Sequence, residues 1–296
     1  MKGIISGIKR MEIHDGDGLR TTVFLKGCPL KCVWCHNPES IGYKPQIAFF
    51  KEKCIGCGMC TLACPNSAII KGNVDRTACT ACGNCAEDCP VEALKLYGET
   101  VEAAQLAERL IADEPFWRNG NGGVTLSGGE CLSQPDFAIE LASILHAKGI
   151  SVNIDTCGYA PSSVFEAILP YTDTFLYDIK AMDAENHKKC TGVYNKIILK
   201  NLQLISSLGA KLEIRIPLVM GYNDNELQAI GEFLAKVQGI TKVKVLKYHN
   251  FAASRYSALG LPCSLPENGV PTENDMNTAV NILRSFGLNA INGYSD

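Results

Sequence analysis

The sequence carries no surplus of positive charge: 28 Lys and Arg stand against 31 Asp and Glu, a formal net charge of -3. Nucleic acids and anionic membrane surfaces are bound through a clear basic excess, so neither is expected as a main partner. Also missing is any apolar run near the roughly 20 residues that a membrane-spanning helix needs. The opening stretch MKGIISGIKRMEIHDGDG has no signal-peptide core. A cytoplasmic protein is expected. Its 296 residues suffice for one large domain, or for a large domain with a small module.

Cysteine, by contrast, is abundant. Eleven of the 15 cysteines fall between Cys28 and Cys89, at two- and three-residue gaps. Cys131, Cys157, Cys190 and Cys263 are scattered, and read most simply as small buried hydrophobes. Such density in a short secreted chain would mean disulfides. In a long chain without an export signal, clustered thiolates mean metal.

From Tyr97 onward, short β-rich runs alternate with helical patterns, the rhythm of βα units around a parallel sheet. Strands are predicted at Thr21–Lys26, Val124–Ser127, Ser151–Asp155, Thr174–Ile179, Leu212–Val219 and Val243–Tyr248. Six strands fit an incomplete barrel better than a closed eight-stranded one. Helices are predicted over Val101–Asp113, behind a cap at Thr100, and over Pro135–Lys148, Asn223–Val237 and Glu273–Phe286. Along Leu212, Ile214, Ile216 and Leu218 the apolar residues alternate with Glu213, Arg215 and Pro217. A strand covered by helices is normally apolar on both faces, so a polar face suggests a lined cavity.

Segment 45–97 breaks the rhythm. Shifting it by 25 residues lays Cys54, Cys57, Cys60 and Cys64 on Cys79, Cys82, Cys85 and Cys89, with Pro65 on Pro90 and Ala68 on Ala93. Units of this size, at about 45–74 and 75–97, cannot build a core unaided, so an inorganic staple is expected. Each half reads C-x2-C-x2-C-x3-C-P, the bacterial ferredoxin run in which the fourth cysteine ligates the cluster of the other half. One [4Fe-4S] cluster would take Cys54, Cys57, Cys60 and Cys89, the other Cys79, Cys82, Cys85 and Cys64. A pair of zinc sites is the other reading, although zinc cysteines usually come as two doublets with a longer spacer. The clusters could carry electrons or simply hold the segment together.

Directly after the first predicted strand comes a separate triplet, Cys28, Cys32 and Cys35, on the loop GCPLKCVWCHN. Three thiolates can cap three irons of a cubane and leave the fourth iron open, which by analogy with zinc is the mark of a catalytic metal site. Alternatively His36, Cys131 or Cys157 closes the fourth position.

At these residues a resemblance becomes specific. The loop with C-x3-C-x-aromatic-C resembles the radical S-adenosylmethionine (SAM) superfamily, and the stretch HDGDGLRTTVFLKGCPLKCVWCHNPES resembles its glycyl radical enzyme activating branch. Further motifs similar to that branch follow in order: Ser127-Gly128-Gly129-Glu130, Asp155-Thr156-Cys157-Gly158, Asp178-Ile179-Lys180, Arg215 in LEIRIPLV, and Tyr248-His249. A ferredoxin-type insert after the first cluster loop is also a trait of many members. The resemblance implies a partial (β/α)6 TIM-like barrel formed by 1–44 and 98–296, with 45–97 inserted. It implies three [4Fe-4S] clusters, of which the Cys28/Cys32/Cys35 cluster chelates SAM and generates the radical. SAM contacts are implied at Trp34, His36, Asn37, Gly128, Gly129, Glu130, Asp155, Asp178, Lys180, Arg215 and His249. Glu130 would accept from the SAM ammonium, and Gly128-Gly129 would let backbone approach the cofactor. A monovalent cation is implied at Asp155, Thr156 and Asp178. Plainer alternatives stand beside several of these: Arg215 paired only with Glu213 or another interior acid, His249 as a satisfied core group, Trp34 as packing.

Two departures from the family pattern, Asp17 where proline is frequent and Ala252-Ala253 where glycine is common, leave subgroup and partner open. The activity implied is reductive cleavage of SAM to methionine and a 5′-deoxyadenosyl radical, which takes hydrogen from a glycine of a partner enzyme. Electrons are expected from reduced ferredoxin or flavodoxin, by way of the two insert clusters. An exposed cluster iron also implies oxygen sensitivity and anaerobic work. A radical SAM enzyme with another target, or a polyferredoxin-like electron carrier, are the rival readings.

Overall fold

The computed structural model describes residues 1–70, 73–117 and 120–293; the parts of the expected segments at 71–72, 118–119 and 294–296 lie outside the described residues. The chain opens with a hairpin of β1 (Lys2–Glu12) and β2 (Arg20–Leu25). The repeat segment follows with β3 (Gln46–Phe49), α1 (Met59–Ala63), β4 (Ile69–Ile70), β5 (Asn73–Val74), α2 (Asn84–Glu87) and β6 (Leu94–Tyr97). Next come β7 (Glu99–Glu102), α3 (Ala103–Ile111), α4 (Glu114–Trp117) and β8 (Gly123–Gly128), then α5 (Pro135–Ala147) and β9 (Ser151–Thr156). After α6 (Ser162–Ile168) and β10 (Thr174–Asp178), two helices, α7 (Ala184–Thr191) and α8 (Lys196–Ser207), precede β11 (Leu212–Leu218). The chain continues through α9 (Leu227–Leu234), β12 (Ile240–Lys247), α10 (Ala253–Leu259), α11 (Glu273–Ser285) and β13 (Ala290–Asn292).

The six strands predicted from the sequence form the centre of one nine-stranded sheet, ordered β13-β12-β11-β10-β9-β8-β2-β1-β7. From β2 to β13 every pairing is parallel; β1 is antiparallel to both β2 and β7. Alternation along β11 does what the sequence implied. Leu212, Ile214, Ile216 and Leu218 enter the large apolar core under the helices, together with Val243 and Val245 of β12 and Leu106, Leu141 and Leu202 of the covering helices. Glu213 and Arg215 face the other way. There Arg215 reaches Asp15 Oδ1 (3.4 Å) and the His14 carbonyl (2.6 Å), both on the loop before β2. A contact between β11 and the chain leading into β2, four positions away in the sheet, requires the sheet to curl into an incomplete barrel. Among the described residues no helix is long and apolar enough to cross a membrane.

Local differences from the expected elements have physical causes. Thr100 does not cap a helix: it pairs with Ile4 in the β7–β1 ladder, and α3 starts only at Ala103. The segment expected to be helical from Asn223 begins as a 3-10 turn, Asp224–Glu226, before α9. At α11 the capping-box geometry is complete, with Thr272 accepting from the Asp275 backbone and Asp275 from that of Thr272. Neither β1 nor β13 was predicted; β1 is partly exposed and its pairing with β2 is interrupted by register shifts, which erases the alternation by which a strand is recognised.

Gly128 and Gly129 end β8. Gly128 has φ +118, and a Cβ on Gly129 would lie 2.5 Å from the backbone oxygens of both Gly27 and Ser40. Gly129 is therefore demanded by the two ends of the cysteine loop, whose backbone presses against it, while a Cβ on Gly128 would strike the β2 backbone at Leu25, 2.3 Å away. Gly129→Ala should cost about 1–3 kcal/mol of stability, the usual scale for overpacking. Chemical denaturation checks this, and an unchanged midpoint would show that the loop can shift away freely.

Candidate radical-generating site

The loop carrying Cys28, Cys32 and Cys35 is held from all sides by backbone hydrogen bonds. Gly27 N–H donates to Ser40 O (2.8 Å) and Cys28 N–H to Ile41 O (3.0 Å), while Glu130 N–H donates to Gly27 O (2.9 Å). Further along, Lys31 and Val33 donate to Thr191 and Cys190 at the end of α7, and Tyr256 Oη to Cys35 O (3.1 Å). The loop thus closes over the C-terminal ends of the strands, where open α/β sheets place their ligands.

Between them lies a cavity of about 250 Å³. All three cysteines line it, with Trp34, His36 and Asn37 of the loop. The opposite wall consists of Gly128, Gly129, Asp155, Thr156, Asp178, Lys180 and Arg215, all expected there from the sequence. Burial raises the thiol of Cys32 to about 12 and that of Cys35 to about 11, so bound iron must displace their protons. Cys28 is lowered instead, chiefly because the Cys157 thiol hydrogen-bonds to it, and Cys157 is raised by the same bond and by burial. Cys157 also lines the cavity.

Charge in the cavity is balanced by pairs. Lys180 Nζ lies 2.6 Å from Asp178 Oδ2. Burial opposes the ammonium, but Asp178 and the neighbouring thiolates outweigh it and hold Lys180 charged. Asp155 is raised to about 7 by burial, against the pull of Arg215. Arg215 also contacts Glu213 (3.3 Å), Asp15 (3.4 Å) and Asp155 (3.6 Å), so the pairing with interior acids is realised while the residue still lines the cavity.

Two of the expected residues lie behind the cavity wall. Glu130 does not line the cavity. Its carboxylate is fully buried and accepts from Leu132 N, Thr156 Oγ1 and Cys157 N at 2.7–3.0 Å, which fixes the turn after β8. His249 does not line the cavity either: its ring stacks on His36 at 4.0 Å and its carbonyl meets His36 Nε2 at 2.8 Å, so it positions His36. Asp155, Thr156 and Asp178, the residues expected around a monovalent cation, share a wall of the cavity, where they contact Ser127 and Arg215, Glu130, and Lys180 respectively.

In the repeat segment the eight cysteines surround two small cavities. One is lined by Cys54, Cys57, Cys60 and Cys89, the other by Cys64, Cys79, Cys82 and Cys85, so in each a fourth cysteine crosses from the other half. The repeat is equally visible in the backbone. Gly58 and Gly83 are left-handed before α1 and α2, Ser67 and Glu92 share φ +50, and Ala68 and Ala93 each donate to the preceding fourth cysteine, Cys64 and Cys89, at 3.2 Å. Amide donors aimed at sulfur suit thiolates that share negative charge with iron.

The family model of the radical SAM superfamily matches residues 22–234, from β2 through the cysteine loop to α9. The chain belongs to the radical SAM superfamily. Relatives within it are named as activating enzymes. The trans-4-hydroxy-L-proline dehydratase activating enzyme of Clostridioides difficile is 44% identical over 88% of either chain. The benzylsuccinate synthase activating enzyme of Thauera aromatica is 40% identical over 90% of this chain and 85% of its own. Among solved structures, a domain of pyruvate-formate lyase-activating enzyme from Bacteroides vulgatus matches with TM-score 0.50 and 28% identity, covering 57% of this chain and 98% of that domain.

Some cavity residues of this superfamily member escaped the sequence reading. Ser127, Pro217 and Tyr248 line the cavity beside the expected residues. Ser127 and Tyr248 lie within motifs already singled out, and Pro217 lies on the polar side of the β11 alternation; strand-end position was the signal. Glu130→Gln places an amide donor among three donors and should cost about 1–3 kcal/mol, the scale of unpaired buried groups. Thermal melting measures that cost and equilibrium dialysis measures SAM affinity. Lost affinity with unchanged melting would return Glu130 to the ligand.

Proposed function

We propose that this chain activates a partner glycyl radical enzyme, using SAM as the radical source. The observation that carries this reading is a single cavity in which three cysteines of one loop face glycines, an aromatic ring and paired charges at the ends of five parallel strands. Such a donor set fits an iron–sulfur cluster with one iron left for a ligand. Held by Cys28, Cys32 and Cys35 and reduced by one electron, such a cluster would supply that electron for the cleavage of SAM to methionine and a 5′-deoxyadenosyl radical, which would take hydrogen from the partner's glycine.

The protein's own residues provide orientation and electrostatics. Cys28, Cys32 and Cys35 fix the cluster against Gly128 and Gly129. Lys180 and Arg215 are cations available to the carboxylate and ribose oxygens of SAM, each tethered by an aspartate so that it enters the site already positioned. Trp34, packed edge-on against Tyr222 at 5.9 Å, offers a fixed apolar wall to the adenine. Asn37 and His36 complete the loop side, and burial with the neighbouring His249 lowers His36 to about 4, so it meets the ligand neutral. Glu130 and His249 act one layer behind.

The segment 45–97 is, on this reading, a ferredoxin-type domain between 1–44 and 98–296, with two [4Fe-4S] clusters in the cysteine cavities. It passes electrons from reduced ferredoxin or flavodoxin toward the SAM site. An accessible iron makes the protein oxygen-sensitive, in keeping with an anaerobic cytoplasm. The relatives are named for differently named partner enzymes at comparable identity, so the partner is a matter for experiment. A simple electron carrier would have no need of the cavity beside the three-cysteine loop.

Cys157 serves as a thiol donor to Cys28 and not as a fourth ligand, because a sulfur in hydrogen-bond contact with one ligand sulfur does not occupy a separate corner. Reconstituted Cys157→Ala should keep its full iron content and its spectral response to SAM; loss of a cluster would assign it to iron. For the function itself, the reduced protein is mixed with SAM and a panel of glycyl radical enzymes. The expected outcome is a glycyl doublet by EPR in one of them together with 5′-deoxyadenosine. Release of 5′-deoxyadenosine with no doublet in any member would favour a different target, and no 5′-deoxyadenosine at all would favour the carrier.

A further inference from the structure

The repeat segment is not symmetric in its surroundings. Its first-half cavity lies at the end of the β3–β6 ladder marked by the Phe49–Leu94 pair, away from the Gln46–Tyr97 end that joins the rest of the chain. Cys54 and Cys57 are exposed there, as are Ile55 and Leu62. The second-half cavity is lined by Ile47, nearer the joined end, and contains the buried Cys85 beside the exposed Cys82. The second cavity is thus the one whose wall, through Ile47, lies toward the large domain.

One side chain ties the wall of the inner cavity to the large domain. Arg76, in the turn between β5 and Cys79, donates through one guanidinium nitrogen to Ile47 O and through another to Ala258 O at 2.9 Å. Ala258 belongs to α10, which packs with Leu259 against Ala48 and Tyr97 of β3 and β6. Gly260, just after α10, is so close that a Cβ there would sit 3.5 Å from Arg76 Nε. Two residues before Ala258, Tyr256 is 4% exposed and donates from its hydroxyl to Cys35 O at 3.1 Å. One short helix thus touches the repeat segment at one end and a cysteine of the radical-generating loop on its inner side.

We propose that Arg76 and Tyr256, joined through α10, form the contact by which an electron passes from the Cys64/Cys79/Cys82/Cys85 cavity to the Cys28/Cys32/Cys35 loop. This rests on the electron-carrying role given above to the repeat segment. The step is a pure electron transfer: the cluster held by the inner cavity loses one electron, the cluster of the loop gains it, no bond is made or broken, and no proton moves. A low-potential one-electron donor protein replaces the electron at the exposed first half. Arg76 and Tyr256 are positioning residues, since neither touches SAM.

The test uses the reconstituted full chain as wild type, Arg76→Ala, Arg76→Lys and Tyr256→Phe, with iron content and melting measured for each. Samples are mixed with reduced flavodoxin, freeze-quenched, and examined by EPR for the signal that SAM perturbs. In wild type the electron should move from the insert's signal to the SAM-perturbed one. In Arg76→Ala and Tyr256→Phe that second signal should rise several-fold more slowly, with partial rescue in Arg76→Lys, while titanium(III) citrate should reduce the loop cluster equally in all. Should Arg76→Ala lose iron, Tyr256→Phe decides, because it keeps the ring and removes only the hydroxyl. Transfer at the wild-type rate in fully loaded variants overturns the proposal. Cys57→Ala and Cys82→Ala included alongside separate the outcomes: if these too transfer at the wild-type rate, it is the electron-carrying role of the segment that fails.

Discussion

Holding three thiols around an open cavity requires a loop that has little regular structure of its own and yet does not move. The protein achieves this by packing the loop backbone onto glycine. With Gly129 lacking a Cβ, the carbonyls of Gly27 and Ser40 approach to a distance no side chain would allow. The hydrogen bonds from Gly27, Cys28 and Glu130 can then close on both sides. Everything else at the site inherits its position from that contact: the cysteines relative to the strand ends, Trp34 against Tyr222, and His36 against His249.

The interior of the curled sheet serves the same end by different means. Arg20, Glu213, Arg215 and Lys244 are all at most 6% exposed. Such a collection of buried charges is tolerable only when paired, and Arg215 alone faces Asp15, Asp155 and Glu213. These pairs fill the end of the interior below the cavity with polar contacts, and Asp155 and Arg215 carry that network up to the cavity wall. A preorganised polar wall costs little to rearrange when a zwitterionic ligand arrives, which is the property a site for SAM would need.

Much of this was legible in the sequence because it is written in spacing. The 25-residue offset marked the two cysteine sets, the bacterial ferredoxin spacing implied that Cys64 and Cys89 cross between them, and the alternation in β11 implied a polar interior. What spacing cannot show is direction. Glu130 follows two glycines, the first with φ +118, and the turn they make sends its carboxylate into the wall. His249 lies just past the end of β12, where strand alternation no longer says which way a ring points. Asp15 and Arg215 are 200 residues apart, and their contact exists only because the sheet curls. The edge strand β7 displaced the expected cap at Thr100 because an unpaired β1 edge was available to it.

The central claim is that the cluster of Cys28, Cys32 and Cys35 keeps one iron for SAM. Electron–nuclear double resonance on the reduced, reconstituted protein tests it most directly, with SAM carrying nitrogen-15 at its amino group. A nitrogen-15 hyperfine coupling to a cluster signal that disappears in Cys32→Ala is the predicted result. Saturating SAM that leaves every cluster signal without such a coupling would contradict it.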